Sequence, residues 1–150
     1  MITDLLKMKT VKANVSASTW KEAARIVGGL LVDTGGAEPR YVDSMILSVE
    51  KYGPYIVITP GVALFHARPQ DGVKEICMGL ITLKSGVDFG AGEKDPVNLV
   101  FAFGASDNKT HLKVLSQIMT LLRDKAVVNQ ILKSNSQKEI LEIIEKKFKI

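Results

Sequence analysis

Val11, Ala13 and Val15 alternate with Lys12, Asn14 and Ser16, the period of two expected of a strand with one face in the core. Ser18 or Thr19 then offers an N-cap. Behind it Trp20, Ala23, Ala24, Val27, Leu30 and Leu31 recur at helical spacing, and Gly35-Gly36 supplies the stop. After Pro39, a second stripe of Tyr41, Val42, Met45, Ile46 and Val49 predicts another helix, ended by Gly53-Pro54. The middle of the chain then changes period. Residues 55–59, 62–65, 76–83 and 97–103 are strand-like, and the last two runs are nearly continuous in apolar residues. Strands of that kind are covered on both faces. Between them, SGVDFGAGEKDP (residues 85–96) is expected to be a polar, glycine-rich loop.

The C-terminal third returns to helical spacing. Asp107 or Asn108 can cap a helix bearing His111, Leu112, Leu115, Ile118, Met119 and Leu122, and a further helix is predicted over residues 126–132. Ser136 and Glu139 form a capping-box pattern ahead of Ile140, Leu141, Ile143, Ile144 and Phe148. Helices at both ends and strands between them predict an α/β fold, a mixed β-sheet sandwiched between layers of helices. The sheet is expected to be mixed because some strand connections are too short for helical crossovers. At 150 residues, with no repeat and no linker-like stretch, residues 1–150 are expected to form a single domain.

Composition narrows the function. Hydrophobic residues are 46% of the chain and charged residues 24%, enough apolar material to exclude disorder. The longest apolar runs are far too short to span a bilayer, so direct membrane insertion is not expected. The N-terminus, MITDLLKMKT, lacks an apolar signal core, and one cysteine, Cys77, cannot form an internal disulfide; a cytoplasmic location is expected. The net charge of +4 owes much to lysines near the two ends (Lys7, Lys9, Lys12, Lys146, Lys147, Lys149). With only 6% aromatic residues and no dense basic face, nucleic acid is not an expected partner.

The chemistry rests on two histidines. His66 ends an apolar strand, and His111 lies in the first turn of a helix that follows the strand at residues 97–103. In an α/β sheet, sites form beyond strand ends and at helix N-termini, so two distant segments can bring the imidazoles together. A neutral imidazole nitrogen is a nucleophile near neutral pH. Phosphoryl transfer asks for in-line positioning and charge stabilisation, which one histidine as acceptor and the other as anion holder would supply. The alternative is a hydrogen-bonded histidine with a purely structural role. Arg68, two residues beyond His66, is a surface arginine or a second anion contact; it would share the strand face of His66 if the strand continued past it, although Pro69 argues for a stop. Two histidines and an apolar-flanked Cys77 give little support for a metal site. Neither a P-loop nor a G-x-S-x-G elbow occurs, and no cofactor is expected.

Three segments, EPRYVDSMI (38–46), GPYIVITPGVALFHARP (53–69) and LVFAFGASDNKTHLKVLSQI (99–118), resemble the enzyme IIA proteins of the bacterial sugar phosphotransferase system. The likeness is to the mannitol/fructose-type superfamily and, through GPYIVI and HARP, most to its ascorbate-type branch. It implies a mannitol-type enzyme IIA fold and a phosphotransferase that accepts a phosphoryl group from phospho-HPr and passes it to an enzyme IIB cysteine. It further implies that His66 is the acceptor, through Nε2, and that His111, in an A-x-x-x-x-x-H-L segment, stabilises the transferred group. The cargo implied is ascorbate or a related sugar acid or alcohol. Partners docking over His66 would need an exposed apolar rim around it. Two departures stand out. Phe65 replaces the family's usual proline, which is expected to place an aromatic ring beside the site. The helix before GPYIVI also lacks the arginine of mannitol and fructose members, and Arg68 is the candidate to replace it. The alternatives are a regulatory enzyme IIA-like protein that signals phosphorylation state to a non-transport partner, and a domain that has lost transfer.

Overall fold

The structure, a computed structural model, describes residues 2–149. Its centre is a five-stranded sheet in the order β1-β4-β5-β3-β2, formed by β1 (Val11–Val15), β2 (Val57–Thr59), β3 (Val62–Phe65), β4 (Cys77–Val87) and β5 (Val97–Gly104). The sheet is mixed, as expected. β1 runs parallel to β4, β4 antiparallel to β5, β5 parallel to β3, and β3 antiparallel to β2.

Alternation along the strands sorts the core into two layers. Ala63, Phe65, Ile81, Val100 and Ala102 face one side, where helices α2 (Trp20–Asp33) and α3 (Pro39–Tyr52) bring Val27, Leu31 and Met45. Val62, Leu64, Leu80, Leu99, Phe101 and Phe103 face the other. There they meet Ile2 of α1 (Ile2–Leu5), Ile118 and Leu121 of α4 (Asn108–Arg123), Ile131 of α5 (Lys125–Lys133), and Ile140 and Ile144 of α6 (Gln137–Phe148). The helix starts are those the sequence marks. Thr19, Asp107 and Ser136 each accept a hydrogen bond from the backbone N–H three residues on.

Two boundaries and one additional helix differ from expectation. The strand expected over 55–59 begins only at Val57, because Gly53 and Pro54 accept from the amides of Tyr55 and Val57 and fold that stretch into a turn. β4 continues to Val87 inside the expected loop, since Val87 still pairs with Val97 across the hairpin. A methyl group on Gly86 would meet Pro96 at 2.7 Å, so the glycine is what admits this close approach. Helix α1 carries too few residues for a periodic signal, yet Ile2 and the following Leu6 are buried.

Gly36 sets the distance between the end of α2 and the start of β4. Its carbonyl accepts from Lys74 and Glu75, and an added methyl would overlap Cys77 Cβ and lie 2.9 Å from Sγ. Gly36→Ala is therefore expected to destabilise the fold by about 1–3 kcal/mol, the usual cost of overpacking. Urea unfolding should show a lower midpoint with an unchanged slope.

Candidate functional site

β3 carries apolar side chains on both faces up to Phe65 and then stops. Its last pairings with β5 are Leu64↔Phe101 and Phe65↔Ala102, so His66 follows at the level of Phe103. The period of two sends the His66 ring to the same side as Leu64 and Phe103. The rings of His66 and Phe103 lie 5.7 Å apart and 30° from parallel. β5 ends at Gly104, Asp107 caps α4, and the first turn of that helix returns His111 to within 5.8 Å of His66 and 5.0 Å of Phe103, ring to ring. Tyr55 closes the group edge-on, 6.1 Å from His66. The two histidines meet across a sequence gap of about 45 residues because β3 and β5 are parallel neighbours whose ends coincide.

One hydrogen bond orients the His66 ring. Nδ1 lies 3.1 Å from the carbonyl oxygen of Leu64. A carbonyl only accepts, so Nδ1 carries the hydrogen, and in the neutral ring the lone pair is on Nε2. Burial pushes the His66 pKa below the ordinary 6.5; the Leu64 carbonyl opposes that shift and the charge of His111 adds to it. The neutral, nucleophilic form is therefore the resting form near pH 7.

The cleft over His66, about 690 Å³, is walled by α3 through Ser44, Leu47, Ser48, Lys51 and Tyr52, and on the far side by Asn108 and His111 at the start of α4. Four of the five large apolar residues exposed among the described residues cluster here: Leu47 at 63%, Tyr52 at 67% and Tyr55 at 46% line the cleft, and Leu112 at 65% follows His111. This is the expected apolar rim. Leu47 could have been noticed in the sequence, since it falls outside the 41/42/45/46/49 stripe of its helix and so has no core to enter. Ser44 and Lys51, seven residues apart, share a helix face with Ser48, a polar strip that the apolar stripe of the helix does not reveal.

Arg68 and Phe65 are placed differently from expectation. Arg68 does not extend the strand; it opens a short 3₁₀ turn, Pro69–Asp71. It lines the cleft, but its Nε and Nη2 donate to the Asp71 carboxylate at 3.3 and 3.1 Å, and its backbone N–H donates there too. The hydrogen bonds from Arg68 hold the Asp71 carboxyl below the usual carboxylate range. Arg68 thus reaches the site with much of its charge already matched. The Phe65 ring is not beside the site at all. It points to the opposite face of the sheet, fully buried, 5.9 Å from the ring of Phe89.

The turn after His66 is gripped by the start of α3. The Tyr41 hydroxyl accepts from Ala67 N–H at 3.0 Å and donates to the Phe103 carbonyl at 2.8 Å. Arg40 Nη1 donates to the Gln70 carbonyl at 2.9 Å, and Glu38 N–H donates to the Gly72 carbonyl at 2.8 Å. Tyr41 reads in the sequence as one more residue of an apolar stripe. A tyrosine with no exposed surface must also satisfy its hydroxyl, since an unpaired buried polar group costs about 1–3 kcal/mol.

A pH dependence follows from His66. Its folded-state pKa lies below 6.5, so below that pH the unfolded chain binds more protons than the folded one. This contribution to stability is complete above pH 6.5 and declines as pH falls through the folded value. Ring-resonance NMR titration should place the His66 midpoint below 6.5, and His111→Gln should raise it by removing a neighbouring positive charge.

Residues 4–147 match the family model described as phosphoenolpyruvate-dependent sugar phosphotransferase system, EIIA 2. The ascorbate-specific EIIA component of Escherichia coli strain K12 is 36% identical over 143 residues, which cover 95% of this chain and 93% of that protein. Among solved structures, the mannitol-specific cryptic enzyme IIA of Escherichia coli superposes with a TM-score of 0.87 at 29% identity, covering 97% of this chain and 98% of its own. The mannitol enzyme IIA solved in complex with phosphorylated enzyme IIB, also from Escherichia coli, gives 0.82 at 29% identity, covering 94% and 97%. This chain, with its mannitol-type fold, belongs to the EIIA family of the sugar phosphotransferase system, and as such is a phosphotransferase component of its phosphoryl relay.

Proposed function

We propose that this protein accepts a phosphoryl group from phospho-HPr on Nε2 of His66 and passes it to the cysteine of an enzyme IIB, in the cytoplasm, for uptake of ascorbate or a related sugar acid or alcohol. The observation that carries the reading is the bond from Nδ1 of His66 to the Leu64 carbonyl, which leaves the Nε2 lone pair available. In the first step the P–N bond to the carrier's histidine breaks as the bond to Nε2 forms. The hydrogen stays on Nδ1, still donated to the Leu64 carbonyl, and that bond helps the ring bear its gain of positive charge. In the second step the cysteine thiolate attacks phosphorus, and the electron pair of the P–N bond returns to Nε2. Each step needs in-line approach and matched charge on the phosphoryl oxygens, not a base on this chain.

His111 supplies a ring N–H toward those oxygens, at the N-terminal end of α4 where the helix dipole also favours an anion. Arg68 is assigned a secondary contact with the phosphoryl group, because Asp71 already takes two of its guanidinium nitrogens. The ascorbate assignment is supported by the 36% identity to the ascorbate-specific component, and the enzyme IIB partner by the mannitol complex. The exposed apolar rim suits partners that dock over one nitrogen and leave again.

Incubation with phosphoenolpyruvate, enzyme I and HPr is expected to place an acid-labile phosphate on the chain, and none on His66→Ala; normal labelling of that variant would sink the proposal. His111→Gln should fold normally and slow transfer roughly 10- to 100-fold, at or below the roughly 100- to 1,000-fold that a lost preorganised donor costs, because the site is partly open. Arg68→Ala should slow it less than His111→Gln does. An unchanged rate and phosphohistidine lifetime would remove Arg68 from the site.

A further inference from the structure

We propose that Tyr41 is a positioning residue for His66: its phenol holds the peptide that follows the histidine and so fixes where Nε2 points during transfer. This inference rests on the reading of His66 as the acceptor. The starting point is where β3 leaves the sheet. Its ladder to β5 ends at Phe65↔Ala102, so beyond that residue the strand partner no longer holds the backbone. The next inward amide, that of Ala67, donates instead to the Tyr41 oxygen at 3.0 Å. The same oxygen donates to the Phe103 carbonyl at 2.8 Å. One buried hydroxyl therefore joins the peptide after His66 to the residue whose ring lies against the His66 imidazole.

The connection has a direct geometric consequence. The Ala67 peptide plane sets the backbone torsion of His66, and with it the direction in which the side chain leaves the chain. A turn free to rotate there would move Nε2 away from the line of attack and weaken the Nδ1 bond to Leu64. Arg40 and Glu38 hold the same turn farther on, at Gln70 and Gly72. Only the Tyr41 bond lies within one residue of the histidine. Burial pushes the phenol pKa up to about 12, so the hydroxyl keeps its hydrogen, and hence its bond to Phe103, throughout the working pH range.

Tyr41→Phe keeps the ring and removes the oxygen. With phospho-HPr as donor, the variant should transfer at least about tenfold more slowly at saturating donor with an unchanged KM, as expected of a misplaced nucleophile rather than a lost docking surface. Nitrogen-15 spectra of the ring should change from a dominant Nδ1–H tautomer to a mixture. Val42→Ala is the control for stability alone: Val42 is buried against α2 at Gly28 and has no bond to the turn, so this variant should melt earlier yet transfer at the wild-type rate. Wild-type rate and tautomer in Tyr41→Phe would overturn the proposal, and so would equal slowing by Val42→Ala. Should Tyr41→Phe fail to fold, amide exchange in the unaltered protein decides: slow exchange at Ala67 supports the clamp, and exchange as fast as an unprotected amide refutes it. Labelling of the wild type separates the two readings, because an unlabelled wild type overturns the acceptor role of His66 and a labelled one with an indifferent Tyr41→Phe overturns only the clamp.

Discussion

The parallel register of β3 on β5 is the constraint from which the site follows. With Phe65 opposite Ala102, the next residue of β3 stands beside the next residue of β5, and His66 meets Phe103. A slip of one residue would turn the imidazole to the other face of the sheet and Phe65 toward the cleft. What prevents the slip is packing on both sides. Leu64 and Phe65 enter opposite core layers, each fully buried, and exchanging them would require both layers to be rebuilt. The position of His66 is thus held by hydrophobic burial on two faces, and the hydrogen bonds at Nδ1 and at Ala67 refine its direction.

Much of this could be read from the chain, and the parts that could not have identifiable causes. Periodicity located the helices because their stripes are long, and the Thr19, Asp107 and Ser136 caps marked their starts. The two histidines were legible because each follows an apolar run at a place where α/β sheets build sites. Proximity in sequence to His66 does not place the Phe65 ring beside the site, because alternation along a strand sends neighbours to opposite faces. Arg68 looked free because its partner, Asp71, becomes one only after the chain turns at Pro69. Tyr41 was hidden for the opposite reason: its ring belongs to the stripe, and only long-range contacts, 26 and 62 residues away, show what its oxygen does. The extension of β4 to Val87 was hidden by Gly86, which reads as loop and serves as close packing.

α3 links these features. Its buried face carries Val42, Met45 and Val49 into the core, its first turn grips the backbone after His66, and its outer face walls the cleft with Ser44, Leu47, Ser48 and Lys51. A single rigid helix therefore fixes three distances at once: core to sheet, turn to sheet, and rim to histidine. The sequence EPRYVDSMI serves all three roles in nine residues, which is why it contains charged and buried positions side by side.

The electrostatics of the cleft suit a group that is carried briefly. Burial keeps His66 neutral and its lone pair available, and the same burial would make a phosphoryl dianion costly to hold without compensation. The compensation present is moderate: a second imidazole, the start of a helix, and an arginine half committed to Asp71. A site lined with several unopposed cations would bind the anion tightly and give it up slowly. For a relay, the useful free energy is the one that makes gain and loss of the group comparable, so incomplete charge matching here is consistent with transfer in and out rather than with storage. The apolar rim complements this arrangement. Leu47, Tyr52, Tyr55 and Leu112 can exclude water when a partner covers the cleft, which, under the proposed transfer, would strengthen each of these modest contacts while the partner is docked and relax them once it leaves.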